Sequence, residues 1–498
     1  MLLLLGVNLQ HYKKNSPQLF LAISAGLGLL IYIYYKAAHL SFTHDECYTY
    51  LHYVHQDFMD IISYKTPYTN NHILNTVLMK YSEEFFGRSE LVLRLPNILA
   101  FIVYSFFAIK LLHTYSIKLL LPGYLLLTLH PYLLEFFALA RGYGLSIAFL
   151  MASIYFACRY FSVLKSKYLI YFNGMSLLSG LSNFSLLNYY IAALLVFNML
   201  SYIIMKLNSN VTEKKISFLK LNKINLVWVL ISTAILYEPL RRISKMSVLD
   251  FGGKNGFISN TIGSSIDDLF YEMAVPDFLS LSIKGFTLTI SCSILGLLLV
   301  KLIKKDFTFF KNNPFLVFTN LTLFINVLIM HLQHLVLNND FYIHRFALFF
   351  YPLFILNLIS FIYFLQLHYP RTGFFLSYFF ALMLAFNFYK NHNFNYYKDW
   401  KYDKDTKIVI QRLVSEHEKY PAKQIKLGIN WLFEPSTNFY RYSLNLKWLN
   451  PTHRNGITGR EHYCYLFKND PEFQMLKSWE ILFKNEKTDV LFIKKSNY

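Results

Sequence analysis

Apolar segments of about 18–22 residues recur along the first four-fifths of the 498-residue chain. An α-helix rises about 1.5 Å per residue, so a segment of roughly 20 apolar residues matches the hydrocarbon thickness of a bilayer. The composition agrees, because 55% of the residues are hydrophobic and only 15% are charged. A chain of this length could also hold about two to four soluble domains. The repeated apolar segments instead predict an all-α polytopic membrane bundle.

The bundle is expected to contain about eleven transmembrane helices. The apolar segments lie at about 18–36, 96–112, 119–134, 143–161, 168–184, 187–205, 225–240, 281–302, 314–335, 346–366 and 374–389. If each segment crosses the membrane once, the lysine-rich loops fall on one side. These loops carry Lys13 and Lys14; Arg159, Lys165 and Lys167; Lys206, Lys214, Lys215, Lys220 and Lys223; and Lys301, Lys304, Lys305 and Lys311. The positive-inside rule therefore places the N-terminus inside and the C-terminus outside, with the first helix as an uncleaved signal anchor.

The net charge of +19 is concentrated in these loops, so it reports topology. It predicts contact with membrane lipids and not with nucleic acid.

Residues 390–498 lack long apolar segments. Ile408–His417 has helical character, whereas Ile425–Ile429 and Val490–Ile493 suit strands. The sequence therefore predicts a membrane domain at 1–389, with an outward loop at 41–95, and a small extracytoplasmic α/β domain at 390–498. Tyrosine and tryptophan side chains in this C-terminal domain would suit contact with a sugar or a peptide.

Two adjacent carboxylates, Asp45 and Glu46, directly follow the first apolar segment. Acidic side chains beside a membrane helix are costly unless they are solvated, paired or used in function. The pair could fix the topology or cap a helix, or it could belong to an active site. Spacing alone leaves both interpretations open.

Further motifs in the same loop give the acidic pair a context. A histidine-containing segment follows at Thr66–Thr76, and Gly87–Pro96 reads G-x-S-E-x-x-x-R-L-P. This series resembles the first loop of the protein O-mannosyltransferase and aminoarabinose transferase superfamily. The resemblance continues at His130–Ser146 and Arg345–Pro352. It covers the membrane domain in patches and is densest over residues 41–97.

The resemblance implies a membrane glycosyltransferase of the C-type fold that uses a polyprenyl-phosphate sugar as donor. In the C-terminal domain, Asp399–Asp403 and Trp431–Pro435 are similar to bacterial members that carry an outer domain. One motif differs, because many relatives have His-Pro-Pro where this chain has Asn71-His72-Ile73. The resemblance therefore predicts the reaction class better than the sugar.

Six residues are candidates for the site. By the resemblance, Asp45 is the general base that accepts the proton of the acceptor hydroxyl in a single inverting displacement. Glu46 is expected to orient the acceptor or to hold a cation. The donor and its phosphate are expected to contact Arg345, Arg141, His72 and Asn71. Arginine suits phosphate because its planar guanidinium keeps its charge and offers two parallel donors. The alternatives are arginines that reach to interfacial water and a structural histidine.

No metal site is predicted, although a divalent cation is left open. His331 and His334 lie about one helical turn apart but lack a third ligand nearby. Gly252-Gly253-Lys254 lacks the spacing of a phosphate-binding loop. The four cysteines show no metal-ligand spacing, and a disulfide between Cys47 and Cys464 stays open.

We therefore expect an enzyme of a bacterial plasma (inner) membrane, with its active site and C-terminal domain on the outer side. Its partners are expected to be the polyprenyl-phosphate sugar donor, membrane lipids, and a glycolipid, polysaccharide or protein acceptor. The alternatives are a transporter or flippase for a lipid or small molecule, and a non-catalytic scaffold. Many transporters carry inverted internal repeats, and we find no convincing repeat in the sequence.

Overall fold

The computed structural model describes residues 16–66, 69–207, 217–245, 252–419, 421, 424–476 and 478–496. The helices within these residues are α1 (Ser16–His39), α2 (His44–Thr49), α3 (Phe58–Ile62), α4 (Ile73–Phe86), α5 (Glu90–Tyr115), α6 (Leu120–Thr128), α7 (Pro131–Glu135), α8 (Gly142–Val163), α9 (Ser166–Ser182), α10 (Leu187–Leu207), α11 (Phe218–Ile243), α12 (Gly263–Leu269), α13 (Asp277–Ile303), α14 (Phe307–Asn312), α15 (Pro314–Leu337), α16 (Phe350–His368), α17 (Pro370–Asn391), α18 (Thr406–Lys419) and α19 (Glu434–Ser443). The strands are β1 (Gly252–Gly253), β2 (Phe341–Tyr342), β3 (Leu427–Ile429), β4 (Tyr463–Phe467), β5 (Glu480–Asn485) and β6 (Val490–Lys494). The predicted topology markers Lys13, Lys14, Lys214 and Lys215, and the loop residues Pro67 and Tyr68, lie outside the described residues.

Nine helices in the described part of the chain are long and apolar enough to cross a bilayer. They are α1, α5, α8, α10, α11, α13, α15, α16 and α17. The predicted polytopic helical bundle is thereby confirmed. Of the two other predicted spans, 168–184 forms α9, which has 17 residues. The segment at 119–134 is divided between two shorter helices.

The division of segment 119–134 follows from a His-Pro pair. Proline disfavours a helical conformation for the residue before it, and His130 has an extended backbone with φ −125° and ψ 109°. Helix α6 therefore ends at Thr128, and Pro131 begins the short helix α7. The chain then turns through residues 136–141 into α8, which brings Arg141 to the start of that helix.

Helix α8 lies in the centre of the bundle. It packs against α5 and α9, and 78% of its most apolar stretch is buried within the protein. By contrast, only 17% of the corresponding stretch of α13 is buried. Such an apolar, unburied helix is stable only where lipid covers it. The burial pattern thus separates a protein-packed centre from a lipid-facing edge.

The C-terminal domain contains a four-stranded sheet with the strand order β3-β4-β6-β5. Strands β3 and β4 are parallel, and Ile429 lies opposite Tyr465. Strands β4, β6 and β5 pair in antiparallel fashion. Helices α18 and α19 complete the domain, which confirms the predicted small α/β unit after the bundle.

One apolar core joins this domain to the loop at residues 41–95, the first loop. Its buried members include Phe42, Cys47 and Tyr50 from the loop and Phe433 and Phe439 from the domain. The rings of Phe42 and Phe439 lie 4.5 Å apart between centroids. The loop is therefore held in place by the C-terminal domain.

The four cysteines are all free, and Cys47 and Cys464 lie in different apolar clusters. The disulfide that the sequence left open between them is therefore not formed.

Candidate active site

The helix that carries the acidic pair begins with a cap built from its own sequence and from the distant C-terminal domain. Glu46 is the third residue of α2, and its Oε2 accepts hydrogen bonds from the backbone N–H of Thr43 at 2.9 Å and from its hydroxyl at 3.0 Å. The N–H of His44 donates to Oδ2 of Asp403 at 2.6 Å. Carboxylates at a helix N-terminus satisfy N–H groups that have no partner within the helix. The direction of α2, and so of Asp45, is fixed at this end.

Glu46 is buried in an ion pair with Arg94. The guanidinium donates from Nε to Oε1 at 2.8 Å and from Nη2 to Oε2 at 2.7 Å. Oε1 also accepts from the N–H of Ala140 at 2.6 Å, and neither charged side chain is exposed. The remaining Arg94 donors bind the carbonyls of Ala37, Leu40 and Ser41. The Glu46 carboxylate is thus occupied within the protein, and it links α1, α2, α5 and the turn before α8.

Asp45 points the other way, towards two arginines. Its Oδ2 lies 3.5 Å from Nη2 of Arg141 and 3.7 Å from Nη2 of Arg345. Asn70 donates to Oδ1 at 3.5 Å. Among the described residues Oδ2 has no hydrogen-bond partner although it is buried, while 13% of the side chain is exposed. In the described part of the chain this oxygen therefore faces two guanidinium groups without a close hydrogen bond.

The charge on Asp45 follows from its neighbours. Burial alone would raise the pKa of the carboxyl, but the charges of Arg141 and Arg345 and the hydrogen bond from Asn70 lower it below its ordinary value. Asp45 is therefore an ionised carboxylate at neutral pH, as a general base must be.

Arg141 is held rigidly at the start of α8. Nη1 donates to Oγ1 of Thr49 at 3.1 Å, and Nη2 donates to Oδ1 of Asn70 at 3.1 Å. Its side chain is 2% exposed, and Nε has no partner among the described residues. The next residue must be glycine, because a Cβ at Gly142 would lie 1.9 Å from the carbonyl oxygen of Ser182. This close approach sets the start of α8 against the end of α9.

Arg345 reaches the site from the turn between β2 and α16. Its Nη1 lies 3.4 Å from Oδ2 of Asp399, and its guanidinium carbon lies 5.3 Å from the ring centre of Trp400. Burial would lower the pKa of Arg345, but nearby Asp45 and Asp399 raise it. With 29% of its side chain exposed, Arg345 is the more accessible of the two arginines.

His72 is buried close enough to Arg141 to be affected by its charge. Its Nδ1 is 3.0 Å from the carbonyl oxygen of Ser182, and its buried Nε2 has no partner in the described part of the chain. Burial, followed by the charge of Arg141, holds the pKa of His72 well below its ordinary value. A neutral imidazole that donates from Nδ1 to a carbonyl presents Nε2 as an acceptor. His72 can therefore accept a hydrogen bond from a ligand hydroxyl.

Asn71, unlike Asn70, makes its side-chain hydrogen bonds away from the two arginines. Its Nδ2 donates to the carbonyl of Ile61 at 3.2 Å, and its Oδ1 accepts from the hydroxyl of Thr76 at 2.9 Å. Asn70, which precedes it, contacts both Asp45 and Arg141. The structure thus brings together Asp45, Arg141, Arg345 and His72, and adds Asn70 to them.

A second cluster of charges lies beside Arg345. Asp268 of α12 is 3% exposed and accepts from Nζ of Lys398 at 2.7 Å and from Nδ1 of His344 at 3.1 Å. The hydrogen bond to Asp268 raises the pKa of His344, in spite of burial. Asp399 additionally accepts from the hydroxyl of Tyr132 at 2.8 Å. The site therefore contains more cationic groups than the sequence singled out.

These additional residues could have been found only in part from the sequence. Arg94 stands in the R-L-P portion of the first-loop motif, and Asp399 and Asp403 stand in the quoted segment of the C-terminal domain. Their partners lie far along the chain, however, and no spacing rule connects them. Of the groups considered for metal binding, His331 and His334 each place Nδ1 against a backbone carbonyl. No cluster of three or more His, Cys, Asp or Glu side chains suited to a metal ion occurs among the described residues.

An apolar cleft of about 630 Å³ opens between α13, α15 and α16. Its lining includes Phe257, Ile262, Leu288, Leu323 and Phe354. The segment that closes one side of the cleft, residues 257–262, continues directly into α12. Because α12 carries Asp268, the cleft and the cationic cluster share one structural element.

Comparison with known proteins gives matches to solved structures alone. No family model and no curated protein matches the sequence. The chain is similar to the crystal structure of ArnT from Cupriavidus metallidurans in the apo state, with a TM-score of 0.38, 7% identity, and coverage of 95% of this chain and 97% of that chain. It is also similar to the crystal structure of the same protein bound to undecaprenyl phosphate, with a TM-score of 0.44, 9% identity, and coverage of 96% and 97%.

Proposed function

We propose that this protein is a membrane glycosyltransferase that moves a sugar from a polyprenyl-phosphate donor to an acceptor hydroxyl, with Asp45 as general base. One observation carries the proposal. Asp45 presents a buried oxygen that has no hydrogen-bond donor among the described residues, and two arginines lie 3.5 and 3.7 Å from that oxygen. This arrangement supports the proposal of a base for the acceptor beside cations for the leaving phosphate.

The reaction is a single displacement at the anomeric carbon. The acceptor oxygen forms a bond to this carbon while the bond from the carbon to the phosphate oxygen breaks. The proton of the acceptor goes to Oδ2 of Asp45, and the electron pair of the broken bond goes to the phosphate. Because the acceptor attacks opposite the leaving group, the anomeric configuration inverts. The leaving group is already a phosphate, so the reaction needs no general acid.

Arg345 and Arg141 are proposed to hold the donor phosphate. Guanidinium groups stabilise the negative charge that grows on phosphate as the sugar leaves. A phosphate placed between them would also offset their charge at Asp45 and return the pKa of its carboxyl towards the ordinary value. Donor binding would therefore make Asp45 a better proton acceptor at the moment when the acceptor must lose its proton.

Glu46 and His72 have different parts in this proposal. The buried Glu46 positions Asp45 through α2 instead of touching the acceptor, since Arg94, Ala140 and Thr43 occupy its oxygens. His72 offers its free Nε2 to a hydroxyl of the donor sugar. Asn71 shapes the loop around both.

The apolar cleft supports a lipid-linked donor. Its volume of about 630 Å³ and its largely apolar lining suit part of a polyprenyl chain. Residues of the segment 257–262 line the cleft, and the chain continues from them into α12, whose Asp268 binds Lys398 and His344. A lipid in the cleft would therefore have its phosphate near the cationic cluster.

The proposed location is the outer face of a bacterial plasma membrane. If the lysine-rich loops are cytoplasmic, the first loop and the C-terminal domain lie outside. Nucleotide sugars are not supplied there, whereas a sugar carried on a membrane lipid can be. The topology and the donor class are thus consistent with each other.

The test is transfer by the Asp45→Asn variant in membranes. Mass spectrometry of membranes with and without the protein identifies the sugar that it adds, and the same product is then quantified for variants at matched levels. Asparagine keeps the size of Asp45 but cannot accept the proton, so we expect transfer to fall by about 10²–10⁴. Asp57→Asn in the same loop is the control, because Asp57 makes no side-chain cap to α3. Wild-type transfer by Asp45→Asn would refute the proposal.

A further inference from the structure

We infer that the acceptor carries a pyranose sugar, and that Trp431, Glu434 and Arg454 form the subsite that binds this sugar beside Asp45. The inference rests on the proposed transferase function and narrows its acceptor to a glycan, either the head group of a glycolipid or part of a polysaccharide.

Trp431 is held outward on a rigid turn. Its side chain is 52% exposed, whereas Phe433, two residues later, is fully buried. Asn430 fixes the start of the turn, because its Oδ1 accepts from the N–H of Leu432 at 3.0 Å and its Nδ2 donates to Asp470 at 3.0 Å. A large aromatic ring is thus displayed on a turn that is anchored on both sides. Exposing a large aromatic ring to water costs free energy, and a role of this ring in ligand binding explains why it is exposed.

Charged groups surround the indole. Nε of Arg454 lies 3.3 Å from Oε2 of Glu434, and the Arg454 guanidinium carbon lies 5.7 Å from the Trp431 ring centre. Both side chains are accessible, with 42% of Arg454 and 20% of Glu434 exposed. A pyranose has an apolar face of C–H groups and a rim of hydroxyls. An aromatic ring flanked by a carboxylate acceptor and a guanidinium donor matches that pattern.

The subsite adjoins the helix that carries the candidate base. The ring of His44 meets that of Trp431 edge-on, with 6.4 Å between the ring centres. Nδ1 of His44 also lies 2.7 Å from the carbonyl oxygen of Leu432. The residue after His44 is Asp45, so the turn that displays Trp431 packs directly on the helix that carries the base.

The aromatic surface continues along this helix. The rings of Tyr48 and His52 contact each other, with 4.2 Å between their centres and an angle of 41° between their planes. Burial lowers the pKa of His52, and the charges of Glu434 and Arg454 act on it in opposite directions. Aromatic side chains of the first loop thus follow His44, whose ring contacts Trp431 of the C-terminal domain.

A membrane anchor is the other common use of an exposed tryptophan. Such an anchor lies among lipid-facing apolar side chains, whereas the ring of Trp431 contacts His44 and Arg454, and Arg454 is paired with Glu434. The charged surroundings favour a polar ligand with one apolar face.

The test uses the full chain in phosphatidylcholine nanodiscs, because detergents with sugar head groups would compete. The probes are tetrasaccharides of N-acetylglucosamine and of mannose, free in solution, and a glycosyl diacylglycerol incorporated into the nanodisc. Saturation-transfer NMR reports contact with each probe, and no donor is added. We expect contact with at least one probe, weakened about five-fold or more by Trp431→Ala and partly restored by Trp431→Phe. Contact with a free tetrasaccharide indicates a polysaccharide acceptor, and contact with the glycolipid alone indicates a glycolipid acceptor.

The control is Tyr442→Ala, which removes an aromatic ring of α19 that is 42% exposed and contacts Tyr50 and Arg88 instead of His44. This variant should bind as the wild type does. No contact with any probe, or contact that Trp431→Ala leaves unchanged, would overturn the inference and favour a protein acceptor or a membrane anchor. Since this assay involves no transfer, its failure is distinguishable from unaltered transfer by Asp45→Asn.

Discussion

The backbone N–H of His44 donates a 2.6 Å hydrogen bond to Oδ2 of Asp403, a residue 359 positions later in the chain. Oδ1 of the same carboxyl accepts from the hydroxyls of Ser436 at 2.6 Å and Thr406 at 3.2 Å. One buried carboxyl thus connects two helices of the C-terminal domain to the first residue of α2. The C-terminal domain therefore takes part in building the site around Asp45.

Asp403 should make the stability of the protein depend on pH. Burial is the main reason why the pKa of Asp403 is raised to about 7. In the unfolded chain the carboxyl would lose its proton near pH 4. The folded state holds this proton more tightly than the unfolded chain does. The protonated Asp403 therefore stabilises the folded state fully below pH 4, and this contribution is lost as pH rises to about 7.

We expect the unfolding temperature of the purified protein to fall between pH 4 and 7, by an amount equivalent to at most about 4 kcal/mol. Asp403→Asn cannot ionise, so its unfolding temperature should change less over this range, as measured by intrinsic fluorescence. If the unfolding temperature fell equally with pH in the wild type and in Asp403→Asn, Asp403 would not titrate in this range.

Arg345 should determine how well the donor is used. Arg345→Ala removes a charged hydrogen bond to phosphate worth about 1.5–3 kcal/mol, so transfer at limiting donor should fall about 10- to 150-fold. Arg345→Lys keeps the charge but loses the two parallel donors. Its transfer rate should therefore lie between those of the wild type and Arg345→Ala. Initial transfer rates at several donor concentrations measure this effect.

The matched control for Arg345 is Arg371→Ala, an exposed arginine at the start of α17. Unchanged donor dependence in Arg345→Ala would remove this arginine from the phosphate site.

Arg94 should be required for folding. Removing one partner of a buried ion pair costs about 3–5 kcal/mol, because the other charge stays buried without a partner. Arg94→Met should therefore lower the unfolding temperature and the yield of monodisperse protein in size-exclusion chromatography. Asp45→Asn should lose transfer, but its yield should fall less than that of Arg94→Met, because asparagine keeps the size of Asp45 and 13% of this side chain is exposed.

For comparison with Arg94, Arg88→Ala changes an exposed arginine in the same loop and should leave the yield unchanged. A normal yield of Arg94→Met would show that Glu46 is not held by this pair.

The topology can be mapped by single cysteines. We expect Asp57→Cys and Glu486→Cys to react with a membrane-impermeant maleimide in intact cells, and Lys304→Cys to react only after permeabilisation. The native cysteines should first be replaced, above all the exposed Cys292. Protection of Glu486→Cys in intact cells would mean that the number of crossings differs by an odd number from the prediction.

Most of the bundle follows from local sequence. The length and the apolar composition of each segment determine whether it can cross the bilayer as a helix, independently of the other segments. The predicted helical bundle and the small C-terminal domain were therefore accessible without tertiary information. Even the division of segment 119–134 has a local cause, because Pro131 constrains His130.

The choice of partners was decided only by the tertiary structure. Asp45 and Glu46 are neighbours in sequence, yet one faces Arg141 and Arg345 while the other is buried against Arg94. Likewise Asn70, and not Asn71, joins Asp45 to Arg141. Such assignments depend on which loop ends meet above the bundle and on which way each side chain points, and neither is encoded in composition or spacing. The sequence by itself determined the membrane helices and the residue types near the first loop, whereas the packing of the C-terminal domain on that loop decided which of them form the candidate site.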